Sequence, residues 1–378
     1  MIRTDHFFKI LANRGITFFA GVPDSLLKDF CAYVTDHVDQ SHHVITANEG
    51  SAVALCAGHY LGTGRAGLVY LQNSGLGNTV NPLLSLNDPE VYALPVLLMI
   101  GWRGEPGVRD EPQHIKQGRI TPALLDAMEI PWQIIDSSSE DMEAIVDTAM
   151  KHMQDRSGPV ALLVRKGAFA PYDLQKKAKS HYPLIREQAI QRLIQQLDST
   201  EIVVATTGMV ARELYELRMV RGDGLSNDFL TVGSMGHAAS IALGLARSQP
   251  ERRVICLDGD GSVLMHMGSL AIVGQSRQQN LIHVVLNNGA HDSVGGQPTC
   301  AFEIDLAGVA RACGYREVLI AAEPEEIDLA FATLLENKGP SLLEIRINKG
   351  ARADLGRPES SPVENRDTLM NVLGVFHC

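Results

Sequence analysis

Acidic and amide side chains follow two apolar segments that are separated by one helical segment. The motif Gly259-Asp260-Gly261 follows the apolar run 254–257 after one residue, and Asn287-Asn288 comes directly after the run 281–286. Residues 262–276 between them have the pattern of a helix. A right-handed crossover makes the flanking strands parallel, so these polar groups emerge at one carboxyl edge of a sheet, where open α/β folds bind ligands.

The residue types at this edge suit a divalent cation that also contacts a phosphate. The carboxylate of Asp260 and the amide oxygen of Asn288 are hard donors of the kind that Mg²⁺ prefers. The neighbouring glycines let the backbone approach a diphosphate, and the helix start after Gly261 favours its negative charge. The sequence therefore predicts a site for Mg²⁺ and a diphosphate. An ordinary turn with a helix terminus is the alternative.

The pattern of hydrophobic residues indicates the elements that position these groups. Short apolar runs, such as 95–100 and 281–286, alternate with longer amphipathic stretches. Parallel strands covered by helices on both faces produce this pattern, because such strands have no side that faces solvent. The predicted fold class is therefore α/β, built on doubly wound parallel sheets.

The same pattern occurs twice along the chain. The segment 158–167 resembles 339–350, and 16–21 resembles 202–208, with the same order of elements between them. Two similar domains explain this order, and chance resemblance between unrelated α/β domains is the alternative.

A polar, lysine-rich stretch separates the two copies. We expect a first domain over residues 1–170, a linker over 171–185 and a second domain over 186–378, with no middle domain.

Length, charge and cysteine usage exclude several classes of protein. The 378 residues are 45% hydrophobic and 20% charged, which is typical of a globular chain of two or three domains. The net charge of −11 argues against nucleic acid and against a membrane surface as partners. No apolar stretch approaches the roughly 18 residues of a membrane span, and the charged N-terminus does not resemble a signal peptide. The six cysteines show no Cys-x-x-Cys or zinc-like spacing, so we expect free thiols and a cytoplasmic location.

The Gly-Asp-Gly…Asn-Asn element resembles the fingerprint of the thiamine diphosphate enzyme family. The resemblance implies that Asp260, Asn288 and the carbonyl of Ala290 bind Mg²⁺, which bridges the diphosphate of the cofactor. It also implies a pyrimidine-binding domain followed by a diphosphate-binding domain, both with the thiamine diphosphate-binding fold. Other residues that it assigns to the cofactor are Gly208, Gly233, Ser234, Met235, Gly259, Gly261 and Ser262.

The segment 46–58 resembles the family element that presents a carboxylate to the aminopyrimidine ring, and Glu49 is its acid. A carboxylate entering an apolar helix needs a partner, because an unpaired buried charge is costly, and a protonated ring nitrogen would be one. A salt-bridged Glu at a helix start is the alternative. In the family the site lies between domains of two subunits, so the resemblance implies a homo-oligomer, at least a dimer.

Four further motifs resemble the phosphonopyruvate decarboxylase branch of this family, which shares part of the set with the sulfopyruvate decarboxylases. They are the segments 21–25, 72–78, 104–114 and 288–299. The implied substrate is a 2-oxo acid with a second anionic group. The implied reaction is decarboxylation of 3-phosphonopyruvate to phosphonoacetaldehyde in phosphonate biosynthesis, with sulfopyruvate as the alternative substrate.

Candidates for proton transfer beside Glu49 are Asp24, His114 and His291. The second anionic group needs donors that keep their charge, and the segment 102–121, predicted to be a long loop, contains several. An ordinary solvated loop is the alternative. The candidate substrate-binding residues are Ser25, Arg103, Arg109, Arg119 and Gln297.

Two other classes of function compete with this interpretation. A nucleotide-binding dehydrogenase is disfavoured because the G-x-G-x-x-G run at 62–67 precedes a predicted strand instead of following one. A non-catalytic thiamine-binding or scaffold protein would not require both Glu49 and Asp260.

Overall fold

The computed structural model describes residues 1–176 and 180–375, which divide into two compact units. The first unit comprises the described residues up to 176 together with Ser293–Gln297. The second comprises the described residues from 180 to Asp292 and from Pro298 onward. The division falls within the stretch 171–185, part of which lies outside the described residues, as does Cys378. The exact ends of the two predicted domains stay a prediction.

The first unit is built on a six-stranded parallel sheet. Its strands are β1 (Phe19–Gly21), β2 (His43–Ile45), β3 (Gly67–Gln72), β4 (Val96–Gly101), β5 (Trp132–Ile135) and β6 (Pro159–Val164), in the order β2-β1-β3-β4-β6-β5. Its helices are α1 (Thr4–Asn13), α2 (Lys28–His37), α3 (Glu49–Thr63), α4 (Leu76–Pro82), α5 (Pro112–Ala127) and α6 (Met142–Arg156). One turn of 3-10 helix, Asn73–Gly75, precedes α4, and a π-helical turn, Leu83–Asn87, follows it.

The second unit is built on a second six-stranded parallel sheet. Its strands are β7 (Ile202–Ala205), β8 (Asp228–Leu230), β9 (Val254–Gly259), β10 (Leu281–Asn287), β13 (Glu317–Ala321) and β14 (Ser341–Arg346), and the short strands β11 (Ala290–His291) and β12 (Gln297–Pro298) follow β10 along the chain. The helices are α7 (Arg186–Gln195), α8 (Met209–Arg221), α9 (Ala238–Ser248), α10 (Asp260–Met265), α11 (Ser269–Ser276), α12 (Leu306–Ala312), α13 (Pro324–Glu336) and α14 (Pro362–Val372).

The strand order of the second sheet, β8-β7-β9-β10-β14-β13, repeats that of the first. Each strand of one sheet therefore has a counterpart in the other, and the predicted duplication of one α/β fold is confirmed. The first sheet's last strand in the chain ends at Val164 and α7 begins at Arg186, so no middle domain separates the copies.

Both faces of each sheet are buried, as a parallel sheet requires. Along β4, Leu97 and Met99 pack in a cluster with Phe7, whereas Leu98 and Ile100 pack in a different cluster on the opposite face. This arrangement explains why the strands appear in the sequence as continuous apolar runs instead of alternating ones.

The prediction of a long irregular loop over 102–121 was wrong in its second half. The loop ends at Glu111, and α5 begins with Pro112, which suits the first helical position because its missing N–H would be unpaired there. Gly118 lies within this helix because the backbone of Gly104 approaches it closely, so a Cβ at Gly118 would lie 1.8 Å from the Gly104 oxygen. Gly118 within α5 therefore serves packing, although it resembles a loop residue in the sequence.

The predicted helix over 262–276 is two helices, α10 and α11, with a break at His266. Within the part of the chain that the structure describes, no helix combines the length and the apolar character needed to cross a membrane. The cysteines at 31, 56, 256, 300 and 313 are free thiols, as predicted.

Candidate functional site

In the second unit, the structure brings Asp260 and Asn288 to the carboxyl ends of two adjacent strands. Strands β9 and β10 pair in parallel with Gly259 opposite Leu286, Asp260 begins α10, and Asn288 follows β10 directly. Both side chains are buried. The predicted proximity of these two oxygen donors is therefore present in the structure.

The surroundings of Asp260 suit a cation. Burial raises the pKa of Asp260 to about 6, although hydrogen bonds from the Thr299 hydroxyl, 2.5 Å from Oδ2, and from the backbone N–H of Asn288 oppose this shift. Among the described residues no Lys, Arg or His forms an ion pair with Asp260. A hard divalent cation at this carboxylate would restore its charged form, so the donors fit Mg²⁺.

The loop that follows β10 fixes the amide of Asn288. Asn288 Oδ1 accepts a hydrogen bond from the backbone N–H of Ala290 at 3.1 Å, and its Nδ2 donates to Asp292 Oδ2 at 3.4 Å. Gly289 between them has a positive φ of 64°, a conformation that favours glycine. The backbone thus turns directly after β10, and this turn holds Asn288 and Ala290 close together.

Glycines and small hydroxyl residues surround the same edge of the second sheet. Gly208 has φ 95° and ψ −135°, a conformation that side chains rarely adopt, directly before α8. The backbone N–H of Gly233 donates to Thr207 Oγ1 at 2.9 Å, and that of Gly236 donates to Ser262 Oγ at 3.0 Å. Glycine turns at the carboxyl edge of a parallel sheet are typical of anion sites.

Met235 and His291 both lie close to Gly261. A Cβ at Gly261 would lie 3.1 Å from the ring of His291 and 3.4 Å from Met235 Cε. Burial lowers the pKa of His291 to about 4, so its imidazole is neutral at pH 7. Ser234, beside Met235, has a positive φ of 48°, which is uncommon outside glycine.

In the first unit, Glu49 is a buried carboxylate at the first position of α3. Asn48 caps this helix by accepting from the N–H of Ser51 at 2.9 Å, and Asn78 Nδ2 donates to Glu49 Oε2 at 2.7 Å. Burial raises the pKa of Glu49, and the hydrogen bond from Asn78 opposes the shift. No ion pair to Glu49 exists in the described ranges, so the alternative of a salt-bridged Glu does not hold there.

Asp24 is a second buried carboxyl group in the first unit, after β1. Gln72 Nε2 donates to its Oδ1 at 2.6 Å, and the backbone N–H of Leu26 donates to its Oδ2 at 3.0 Å. Burial raises the pKa of Asp24 in spite of these bonds. A Cβ at Gly101 would lie 2.0 Å from Oδ2, so β4 must end in glycine for the carboxyl group to fit.

The candidate arginines differ in their surroundings. Arg103 donates to both oxygens of Asp110 and, through Nη1, to Ser25 Oγ at 2.8 Å, so its charge is already compensated. Arg109 and Arg119 are exposed and form no ion pair within residues 1–176 and 180–375. Arg109 lies on the loop before α5, whereas Arg119 lies on α5.

The two remaining candidates are buried. His114 belongs to the first turn of α5. Gln297 is fully buried, and both polar atoms of its side chain lack a hydrogen-bond partner among the described residues. An unpaired buried amide is costly, which is a sign of a site that a ligand completes.

Sequence reasoning missed several residues that hold these groups in place. All five lie within the motifs 72–78, 104–114 and 288–299, but no role is predicted for any of them: Gln72, Asn78, Asp110, Asp292 and Thr299. Their spacing from the groups that they hold is irregular, so no periodic signal could have found them. The structure also groups Cys256, Asp258 and His283, with His283 Nε2 3.4 Å from Asp258 Oδ2.

Comparison with known proteins gives matches over both units. Residues 2–130 match the model of the thiamine pyrophosphate enzyme N-terminal TPP-binding domain, and residues 206–345 match that of the C-terminal TPP-binding domain. A phosphonopyruvate decarboxylase of Streptomyces viridochromogenes is 38% identical, covering 94% of this chain and 90% of that protein. One of Streptomyces hygroscopicus is 36% identical, covering 96% and 92%. A sulfopyruvate decarboxylase of Methanosarcina acetivorans is 29% identical, covering 90% of each.

Proposed function

We propose that this chain, which belongs to the thiamine pyrophosphate enzyme family, converts 3-phosphonopyruvate to phosphonoacetaldehyde and carbon dioxide. Within the family it is similar to the phosphonopyruvate and sulfopyruvate decarboxylases. The observation that carries the proposal is the likeness over nearly the whole chain to two phosphonopyruvate decarboxylases. The sulfopyruvate decarboxylase is similar over a comparable length at lower identity, which favours phosphonopyruvate as the substrate.

We assign the cofactor-binding roles to the second unit's carboxyl edge. Asp260, Asn288 and the carbonyl of Ala290 would hold Mg²⁺, because they are oxygen donors grouped after β9 and β10. The backbone around Gly208 and Gly233 would contact the diphosphate. When bound, thiamine diphosphate supplies a cationic ring that accepts the electron pair released as the 2-oxo acid loses carbon dioxide.

We assign the first proton transfer to Glu49. Its pKa is raised by burial, so at neutral pH it can hold and donate a proton more readily than an exposed Glu. The proton would pass between Glu49 and N1′ of the aminopyrimidine ring. Asn78 keeps the carboxyl group in one orientation by donating to Oε2.

Asp24 is the best candidate for protonating the carbon that loses carbon dioxide. It is buried, its pKa is raised, and Gln72 and the end of β4 fix its position. His291 is neutral at pH 7, so it would act as a hydrogen-bond donor or acceptor and not as a cationic acid.

The second anionic group of the substrate needs a cation that is not already neutralised. The charge of Arg103 is already balanced by Asp110. Arg103 would therefore orient the anionic group of the substrate through hydrogen bonds more than it would neutralise that group. Arg109 is the candidate with an uncompensated charge on the same loop, and Gln297 offers an unpaired buried amide.

Carbon dioxide release from phosphonopyruvate, measured with and without thiamine diphosphate and Mg²⁺, tests the proposal. We expect turnover that depends on both, and higher kcat/KM for phosphonopyruvate than for sulfopyruvate. Glu49→Gln should abolish turnover but retain binding of cofactor and metal. Faster turnover of sulfopyruvate by the wild-type protein would contradict the proposed substrate, and normal turnover by the variant would contradict the role of Glu49.

We also propose that the chain acts as a homo-oligomer, at least a dimer, with sites that need two subunits. Co-expression of Glu49→Gln and Asp260→Asn chains tests this, because a mixed dimer would contain one site without either change. We expect activity from the mixture and none from either variant alone. An inactive mixture that contains mixed dimers would contradict shared sites.

A further inference from the structure

A row of three charged groups, Asp292, Arg186 and Glu213, extends from Asn288 within the second unit. Asn288 Nδ2 donates to Asp292 Oδ2 at 3.4 Å, and the same oxygen accepts from Arg186 Nη1 at 3.3 Å and from the backbone N–H of Gly350 at 2.9 Å. Arg186 in turn donates from Nε and Nη2 to the two oxygens of Glu213, at 2.8 and 3.0 Å. Loop, helix start and neighbouring helix are thus joined by one set of charge-assisted hydrogen bonds.

Helix packing alone does not require these charged groups. The side chain of Arg186 is 6% exposed and that of Glu213 is fully buried, so both ions lose their hydration in the folded protein, a cost that apolar side chains would not carry. Arg186 is also the first residue of α7, where the helix dipole opposes a positive charge. An apolar pair of similar size would pack these helices without either cost.

Asp292 contacts Asn288, so these charged groups can control the orientation of the Asn288 amide. An amide that faces a carboxylate must present its nitrogen, since an amide oxygen turned toward Asp292 would be repelled. With the nitrogen of Asn288 held by Asp292, its oxygen is left on the other side, where it also accepts from the N–H of Ala290. Asp292 therefore selects the amide orientation in which Asn288 can ligate a metal.

We propose that Asp292, held in place by Arg186 and Glu213, is a positioning residue for the metal ligand Asn288. This inference rests on the proposed function for the identity of the metal and cofactor. Loss of an outer-shell partner typically weakens metal binding about 10–100-fold, and we expect that range when Asp292 is truncated.

Mn²⁺ binding to the thiamine diphosphate-saturated protein, followed by the electron paramagnetic resonance signal of free Mn²⁺, measures this directly. Asp292→Ala should raise the Kd for Mn²⁺ about 10–100-fold. Asp292→Asn should raise it less, because the Asn oxygen can still accept from Asn288. Arg186→Met should also weaken binding, because it releases Asp292.

The pair Arg218 and Asp228 provides the matched control. It is equally buried and also joined by two hydrogen bonds, at 2.9 and 3.1 Å, but among the described residues none of the ion pairs of Arg218 reaches the loop after β10. Arg218→Met should lower the urea midpoint of unfolding as Arg186→Met does and leave the Kd for Mn²⁺ within twofold of wild type. If Arg186→Met does not fold, the two variants at position 292 still carry the test.

Wild-type Mn²⁺ affinity in Asp292→Ala would overturn the proposal. Equal weakening in Asp292→Ala and Asp292→Asn would also overturn it, because charge and not orientation would then be the cause. Wild-type protein that binds Mn²⁺ with thiamine diphosphate but releases no carbon dioxide from phosphonopyruvate would contradict the proposed function alone. Wild-type protein that does not bind them would contradict both.

Discussion

Replacing Asp260 with Asn should stabilise the metal-free protein while it removes metal binding. Asp260 is 3% exposed, and its pKa is raised from 3.8 to about 6, chiefly by burial. Without a cation, the charged form of this buried side chain lowers the free energy of unfolding at neutral pH. Asparagine has nearly the same shape and carries no charge, so it does not lower the free energy of unfolding in this way.

The expected gain follows from the shift in pKa. A rise from 3.8 to about 6 corresponds to about 3 kcal/mol of lost stability at a pH well above 6. The hydrogen bond from the Thr299 hydroxyl is already included in this net shift. The free energy of unfolding of the metal-free variant should therefore exceed that of wild type by about 3 kcal/mol.

The sign of the pH dependence is fixed by the same shift. Between pH 3.8 and about 6 the native state holds a proton at Asp260 that the unfolded chain releases. The contribution of Asp260 to the stability of metal-free wild-type protein therefore falls as the pH rises through this window. Asn at position 260 does not titrate, so the advantage of the variant should be absent below about pH 4 and complete above about pH 7.

Urea unfolding in the presence of a chelator, at pH 4 and pH 8, measures this difference. Asp305→Asn is the matched control, because Asp305 caps α12 from an exposed position and Asn caps a helix equally well. Addition of Mg²⁺ and thiamine diphosphate should stabilise wild type and leave Asp260→Asn unchanged. A variant that is no more stable than metal-free wild type at pH 8, or equally favoured at both pH values, would refute the reasoning.

Three further variants test the first unit. Asp24→Asn should lower kcat for carbon dioxide release about 100- to 10,000-fold with little change in KM, and a wild-type kcat would remove Asp24 from the mechanism. Arg109→Met should raise KM for phosphonopyruvate without lowering kcat. The comparison variant is Arg119→Met, because Arg119 is also exposed. Equal effects of the two variants on KM would contradict a specific role for Arg109. In Gly75→Ala the new Cβ would lie 2.2 Å from Glu49 Oε1, so the carboxyl group must move. We expect a protein that is folded by circular dichroism but whose turnover is lowered on the order of 100-fold. Unchanged turnover would show that the position of Glu49 is not critical.

The fold class could be predicted from the sequence because parallel sheets bury both faces of their strands, which makes each strand a continuous apolar run. The continuous apolar runs of β4 and β10 could arise in few other ways, and the repeated order of elements gave the duplication that both sheets confirm. The same reasoning brought Asp260 and Asn288 to neighbouring strand ends, since the crossover rule fixes which ends meet.

The contacts that hold the site were not predictable in the same way. Asn78 reaches Glu49 and Asp110 pairs with Arg103 through loops and helix ends, where spacing in the sequence does not determine distance in space. The start of α5 was missed because Gly118 and Pro122 resemble loop residues. The Gly118 position within α5 is explained by the close approach of the Gly104 backbone, which is a tertiary contact and therefore not visible in the sequence.

The two copies carry different residues at the same carboxyl edge of one fold. In the first copy the acids Asp24 and Glu49 follow β1 and β2, whereas their counterparts β7 and β8 lead to glycine turns with positive φ at Gly208 and Gly233. The oxygen donors of the second copy instead follow β9 and β10. Glu49 and Asp260 are both buried carboxylates with no ion pair in the described residues. In the function that we propose, Glu49 would serve proton transfer and Asp260 would anchor the metal, and binding of metal and cofactor would offset the cost in stability of burying these two carboxylates.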